Sequence, residues 1–132
     1  MSYTTPTLTQ VSAFKLQLVS IDRDGIIRVA AEGPITFDSV LGDKNPLAML
    51  LGETWSSNRV ILNLDKTNFV DSAAIGWLIS TQKEFKAAGG SIVVHSVRPN
   101  VRQVLNLLKV GKIVNIADDE KSARTLAKGE SK

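Results

Sequence analysis

Asp71 directly precedes Ser72, with Asp65 shortly before them, and this is the arrangement in the chain with the clearest chemical options. A serine hydroxyl can act as a nucleophile or as a helix cap. Nucleophilic duty needs a neighbouring base to take its proton, and none is evident. His95 is the sole histidine and falls in a predicted strand, where a structural or surface imidazole is the plainer reading. The chain has no cysteine, so disulfides and thiolate metal sites are excluded, and one histidine does not assemble a common zinc site. Val110-Gly111-Lys112 lacks the glycine spacing and the Ser/Thr of a phosphate loop. Asp65, at a strand end, reads as a loop-ordering residue. We therefore expect no catalytic residue, no metal and no cofactor, and Asp-Ser before a helix reads by itself as a cap.

The element that must position this pair is a helix predicted over 72–88 and closed by Gly89-Gly90. Asp71 and Ser72 both prefer the N-cap, where a side-chain oxygen satisfies an orphan amide of the first turn. Ile75, Leu78, Ile79 and Phe85 form the apolar stripe. Ser72, Gly76 and Ser80 recur every four residues in a second row, with Ala73 beside it, away from the centre of that stripe. Small side chains there admit a second backbone closely. Trp77 projects outside the stripe and is expected to be an interface anchor, since interfaces favour such residues. The alternative is that the small row faces a neighbouring helix of the same domain and Trp77 completes the core.

Around that helix the pattern is α/β. Phe14, Leu16 and Leu18 alternate with polar residues, the period of a half-buried strand. Asp22-Arg23-Asp24-Gly25 is a turn and Ile26–Ala31 a second strand, so 14–31 reads as a hairpin ended by Gly33-Pro34. Residues 35–58 are less legible; Asn45-Pro46 offers a cap and a first helical proline, predicting a helix over about 46–56. Arg59–Leu64 is a strand dense enough in apolar residues to be buried on both faces. Ile92–Val94 begins the next strand, which makes a parallel crossover with the helix between. Arg98-Pro99-Asn100 opens a helix carrying Val101, Val104, Leu105 and Leu108, ended by Gly111. Ile113, Val114 and Ile116 make a short strand, and Asp118 is expected to cap a last helix to about Lys128.

A length of 132 residues fits one domain, and the hydrophobic fraction of 43% supports one core. We expect a domain over 13–128 between flexible ends at 1–12 and 129–132. Met1–Ser12 is Thr-rich, without the basic start and apolar core of a secretory signal. No apolar run approaches the ~20 residues of a membrane span, so a cytoplasmic protein is expected. The net charge of +3 is uneven: residues 98–132 carry +4 and residues 1–97 carry −1. The positive residues are spread over two predicted helices with acids between them, and no aromatic follows Phe85. That pattern describes solvated helix faces, with no direct nucleic-acid surface.

The run Leu62-Asn63-Leu64-Asp65, followed by Phe69-Val70-Asp71-Ser72-Ala73-Ala74-Ile75-Gly76-Trp77-Leu78, resembles the signature of STAS domains, a family that includes bacterial anti-sigma factor antagonists. The match continues through Gly89–Val94 and Val101–Leu107 and spans roughly 14–127. The resemblance implies one small, mixed but mostly parallel β-sheet with about four α-helices. It also implies partner switching. The unphosphorylated antagonist binds an anti-sigma factor that is also a serine kinase, phosphorylation of the serine after the aspartate, here Ser72, releases it, and a PP2C-type phosphatase resets the cycle. A homodimer is left open. The implied partner surface comprises Asp71, Ser72, Ala73, Gly76, Trp77 and Ser80, with Thr36 and Asp38 near Gly33-Pro34. Two positions depart from the family pattern: Ala74 stands where glycine is usual, and Thr36 where many members carry an acid, Asp38 being the nearest. The alternatives within the family are a scaffold subunit of a stress-signalling or lipid-transport complex, and a nucleotide- or small-ligand-sensing module.

Overall fold

A computed structural model describes residues 14–40 and 45–129. The expected tails lie outside the described residues, Gly129 apart. Strands β1 (Lys15–Ile21) and β2 (Ile26–Glu32) form the hairpin, paired antiparallel. Its turn is closed by Asp22, whose Oδ1 accepts from the amides of Asp24 and Ile26, while Gly25 adopts φ +80°. The sheet continues in chain order through β3 (Arg59–Lys66), β4 (Ser91–His95) and β5 (Asn115–Ala117), each parallel to its predecessor.

Among the described residues, five helices flank the sheet: α1 (Phe37–Val40), α2 (Pro46–Leu51), α3 (Ser72–Ala87), α4 (Pro99–Leu107) and α5 (Glu120–Ala127). Alternation along the strands divides the core in two. Val60, Leu62, Ile92 and Val94 face one way, into a cluster completed by Ala74, Ile75, Leu78 and Phe85 of α3 and by Val101 and Leu105 of α4. Ile26, Ile61 and Val93 face the other way and meet Ala117 and then Ala123 and Ala127 of α5. Phe85 is fully buried, edge-to-face against Trp55 at 5.3 Å, a pairing worth about 0.5–1.5 kcal/mol beyond its burial.

The elements differ from the sequence reading chiefly at their ends. The helix expected over 46–56 stops at Leu51, because Gly52 turns to φ +87° and bonds back to Ala48; a separate 3-10 turn follows at Trp55–Ser57. Four-residue α1 is additional to the expected set. Helix α4 ends at Leu107, short of Gly111 where its end is expected; Lys109 takes the left-handed conformation and Val110–Lys112 is a 3-10 turn, so the last strand begins only at Asn115. Asp119, not Asp118, caps α5, its Oδ1 accepting from the Ser122 amide at 2.9 Å.

The basic residues near the C-terminus are partly spoken for by acids. Arg124 binds Asp22 and Glu120, Lys128 binds Asp24, Arg28 binds Glu120 and Arg102 binds Asp118. Three of these pairs, Arg124–Asp22, Lys128–Asp24 and Arg28–Glu120, tether the α5 end to the hairpin. His95 is buried at the end of β4, Nδ1 lying 2.8 Å from the Ser96 hydroxyl, and burial lowers its pKa from the ordinary value.

Gly90 marks a second constraint. A Cβ there would lie 2.3 Å from the Ser56 carbonyl oxygen and 2.4 Å from that of Asn58, so only glycine fits where α3 passes into β4. Gly90→Ala is expected to cost at least about 1–3 kcal/mol, the range of overpacking in close-packed interiors. Urea denaturation measures this, and Gly76→Ala, with nothing within 4 Å of its Cβ position, serves as the tolerated comparison.

Candidate functional site

Parallel pairing brings the C-terminal ends of β2, β3 and β4 to one edge of the sheet, where open α/β sheets tend to place their sites. The loops leaving β2 and β3 are zipped together there. The Gly33 amide donates to the Lys66 carbonyl, Ile35 to Phe69 at 3.0 Å, and Asp71 back to Ile35 at 3.3 Å, around an Ile35–Val70 bridge. Ile35 and Val70 are both buried, which anchors the pair apolarly. From the other side, Arg98 donates to the Asp65 carbonyl and Asn100 Nδ2 to that of Asn68 at 2.7 Å. The segment 65–71 is thereby held from both sides.

Asp71 uses both carboxylate oxygens. Oδ1 accepts from the Ala74 amide at 3.0 Å as the N-cap of α3, and Oδ2 accepts from the Phe37 amide at 2.9 Å, the first residue of α1. One side chain therefore ties together the starts of two helices. Bonds from the Phe37 and then the Ala74 amides hold its pKa below the ordinary 3.8, because both stabilise the ionised form.

With Asp71 as cap, Ser72 becomes the first residue of α3, and it is exposed. Gly76 and Ser80 are exposed in the same row and Ala73 is half-buried beside it. Across the loop junction, Asp38 is exposed and Thr36 half-buried, its hydroxyl 3.2 Å from that of Ser39. The structure thus brings together Asp71, Ser72, Ala73, Gly76, Ser80, Thr36 and Asp38 around one helix start.

Trp77 is the exception and corrects the sequence reading. It is only 7% exposed, inside the main core, with its ring edge-to-face against Phe14 at 6.1 Å. The apolar stripe of α3 records contact with the sheet alone. The hairpin entrance covers a further flank of the helix, and Trp77 fills that second contact. Ala74 has a similar explanation: its methyl group is fully buried in the same core, so the departure from glycine supplies packing.

The sequence reading missed two residues. Phe37 and Phe69, large aromatics from the two zipped loops, are 56% and 53% exposed. Beside exposed Phe69, buried Val70 anchors the loop. Their signal was faint, an aromatic within one or two residues of a polar turn.

Elsewhere an open groove of about 600 Å³ lies over Ala30, with Lys15, Glu32, Asp65 and Lys66 on its walls, and Ser72 does not line it. Among the described residues no group of three His, Asp or Glu side chains is placed to hold a metal ion, and no helix is long and apolar enough to cross a membrane.

Comparison with known proteins agrees with this architecture. The STAS domain model matches residues 16–123. An anti-sigma F factor antagonist of Paenibacillus polymyxa is 32% identical over 66 residues, which span 50% of this chain and 56% of that relative's length. The unphosphorylated anti-sigma factor antagonist SpoIIAA superposes with TM-score 0.61 at 20% identity, covering 90% of this chain and 99% of its own. An anti-sigma factor antagonist from Mycobacterium paratuberculosis gives 0.60 at 17% identity, covering 86% and 95%.

The double cap has a measurable consequence. Asp71→Ala is expected to lower the thermal midpoint, with Asp71→Asn recovering much of the loss because asparagine caps almost as well. A carboxylate with depressed pKa contributes its stability fully above the unfolded value and loses it as pH falls through the folded one. The Phe37 and Ala74 amide shifts should therefore titrate together below the ordinary aspartate value, with core amides such as that of Val93 unmoved. With the fold and the matched segment together, the chain belongs to the STAS domain family.

Proposed function

We propose that this protein is an anti-sigma factor antagonist, a non-catalytic binding protein of the cytoplasm whose partner is an anti-sigma factor with serine kinase activity. Ser72 is the switch. The observation that carries this reading is an exposed hydroxyl at the first position of a helix, framed by the exposed small residues Gly76 and Ser80 and by Asp38. The named relatives are anti-sigma factor antagonists, and the Bacillus protein SpoIIAA has been solved in a phosphorylated form that superposes with TM-score 0.52.

In the proposed cycle the kinase transfers the γ-phosphoryl group of ATP to Ser72. The Ser72 Oγ–P bond forms, the bond between the γ-phosphorus and ADP breaks, and the hydroxyl proton passes to solvent. A PP2C-type phosphatase hydrolyses the phosphoester and restores the hydroxyl. The footprint we assign comprises Asp71, Ser72, Ala73, Gly76, Ser80, Thr36 and Asp38; buried Trp77 has no place in it.

Phosphate adds about −1.5 to −2 charges at neutral pH. At the start of α3 the domain accommodates it, with about 0.3–1 kcal/mol of favourable interaction with the helix dipole. Within a partner interface the same dianion loses water without a designated cation. An uncompensated buried charge costs about 3–5 kcal/mol, and about 1.4 kcal/mol is already tenfold in affinity. The penalty exceeds the local gain, so the complex separates while the fold persists.

Ser72→Ala should bind the kinase with or without ATP, and Ser72→Asp should stay folded but bind at least about a hundredfold more weakly. Calorimetric titration of each form against the anti-sigma factor measures this. Equal affinity for wild type, Ser72→Ala and the stoichiometrically phosphorylated protein would end the switching mechanism. Site mapping on protein from its native cells should find phosphate on Ser72.

A further inference from the structure

Helix α4 begins beside the loop that leads to Ser72, where Asn100 Nδ2 donates to the Asn68 carbonyl, and runs away from it. Nine residues at ~1.5 Å each carry it about 13 Å toward the opposite edge of the sheet. There the chain reverses in tight turns. The Lys109 amide donates to the Asn106 carbonyl, Lys109 itself takes a left-handed φ of 56°, and the Ile113 amide donates to the Val110 carbonyl. Val110 and Val114 are buried and anchor the reversal to the core. Beside these anchors, Leu107, Leu108 and Ile113 are 75%, 57% and 49% exposed. Lys109 and Lys112 stand exposed among them, and neither has an acidic partner among the described residues. The surrounding chain carries one sign of charge: residues 85–117 contain five Lys/Arg and no Asp or Glu. Asp118, the next acid along the chain, follows β5 and is held by Arg102, nearer the start of α4.

We propose that this reversal is a membrane-surface contact, in which Leu107, Leu108 and Ile113 enter the headgroup boundary of an anionic bilayer while Lys109 and Lys112 meet its lipid phosphates. An exposed apolar patch marks a protein or a membrane contact, and its composition here decides between them. Protein interfaces favour aromatic side chains and arginine and are depleted in lysine. This patch holds two leucines, an isoleucine and two lysines, without an aromatic. A second copy of the chain would set Lys109 and Lys112 against their own kind, and like charges disfavour such a pairing. An anionic bilayer suits both parts of the patch. The apolar side chains leave water, and each lysine lays its stem along the apolar boundary with its ammonium group among the headgroups. Three short side chains and two charges make a weak, reversible contact. It lies at the far end of α4 from Ser72, so a docked domain keeps the start of α3 away from the bilayer. The inference does not depend on Ser72 being modified.

Flotation of the purified protein with large unilamellar vesicles tests this, using phosphatidylcholine alone and phosphatidylcholine containing phosphatidylglycerol. Partition onto the anionic vesicles at about 0.1 M salt should drop about tenfold or more on neutral vesicles, and likewise in about 0.5 M salt. Lys109→Gln with Lys112→Gln should weaken it about tenfold or more. Leu107→Ser with Leu108→Ser should do the same, through lost apolar burial, by about tenfold. All four positions are exposed, and an unchanged thermal midpoint verifies that each variant is folded. Lys15→Gln with Lys66→Gln removes the same charge at the opposite edge of the sheet and should change partition less than about twofold. Because the chain has no cysteine, Leu108→Cys accepts a single environment-sensitive fluorophore, whose emission should shift to the blue on anionic vesicles; the same label at Ser80→Cys should not respond. No flotation with anionic vesicles, equal flotation with neutral ones, or an equal loss from Lys15→Gln with Lys66→Gln overturns the inference. So does a dimer in sedimentation velocity that Leu107→Ser with Leu108→Ser abolishes, since a second copy then covers the patch.

Discussion

A single carboxylate shared by two helix starts organises the functional end of this domain. Every helix begins with amides that lack intrahelical partners, and Asp71 satisfies one at α3 and one at α1 with its two oxygens. Such sharing requires the two starts to lie within hydrogen-bond reach, although Phe37 and Ala74 are far apart in sequence. The parallel pairing of β2 with β3 supplies that proximity, because both strands end at the same edge, and the Ile35–Val70 bridge extends it by one step. The exposure of Ser72 follows directly. With Asp71 as the cap, the serine is freed from capping and stands at the first helical position facing outward.

Helix α3 divides its surface between two tasks. Ile75, Leu78 and Phe85 secure it to the sheet, Trp77 secures it to the hairpin entrance, and Ser72, Gly76 and Ser80 are left open. Lys83, Glu84 and Lys86 continue the exposed face toward the end of the helix. The same economy appears on the opposite sheet face, where α5 touches the strands through alanines and lies close, and its ion pairs with the hairpin turn fix its direction. Exposed or half-exposed pairs of this kind contribute little to stability; their value is orientation.

The hairpin, β3, α3 and β4 were legible from residue types because each is long or strongly periodic, and Asp71–Ser72 was legible because both residues favour helix starts. The stretch from Ile35 to Asn58 was not. Its short helix α1 sets only Val40, half-buried, against the core, so it leaves no apolar period to read, and α2 ends where Gly52 takes a conformation that sequence alone permits without requiring. Lys109 illustrates the converse. Gly111 is the natural helix stop by residue type, yet the left-handed turn falls on Lys109, just before buried Val110.

By itself the sequence determined the local chemistry: which segments alternate, which helix carries a serine at its mouth, and that cysteine chemistry is absent. These are properties of neighbours along the chain. Only the tertiary structure decided that Asp71 reaches the Phe37 amide, that Trp77 belongs to the core, and that Phe37 and Phe69 stay exposed on the two zipped loops. Those outcomes depend on which strand ends are brought together and which helix flanks are covered, and both are set by pairing between residues distant in the chain.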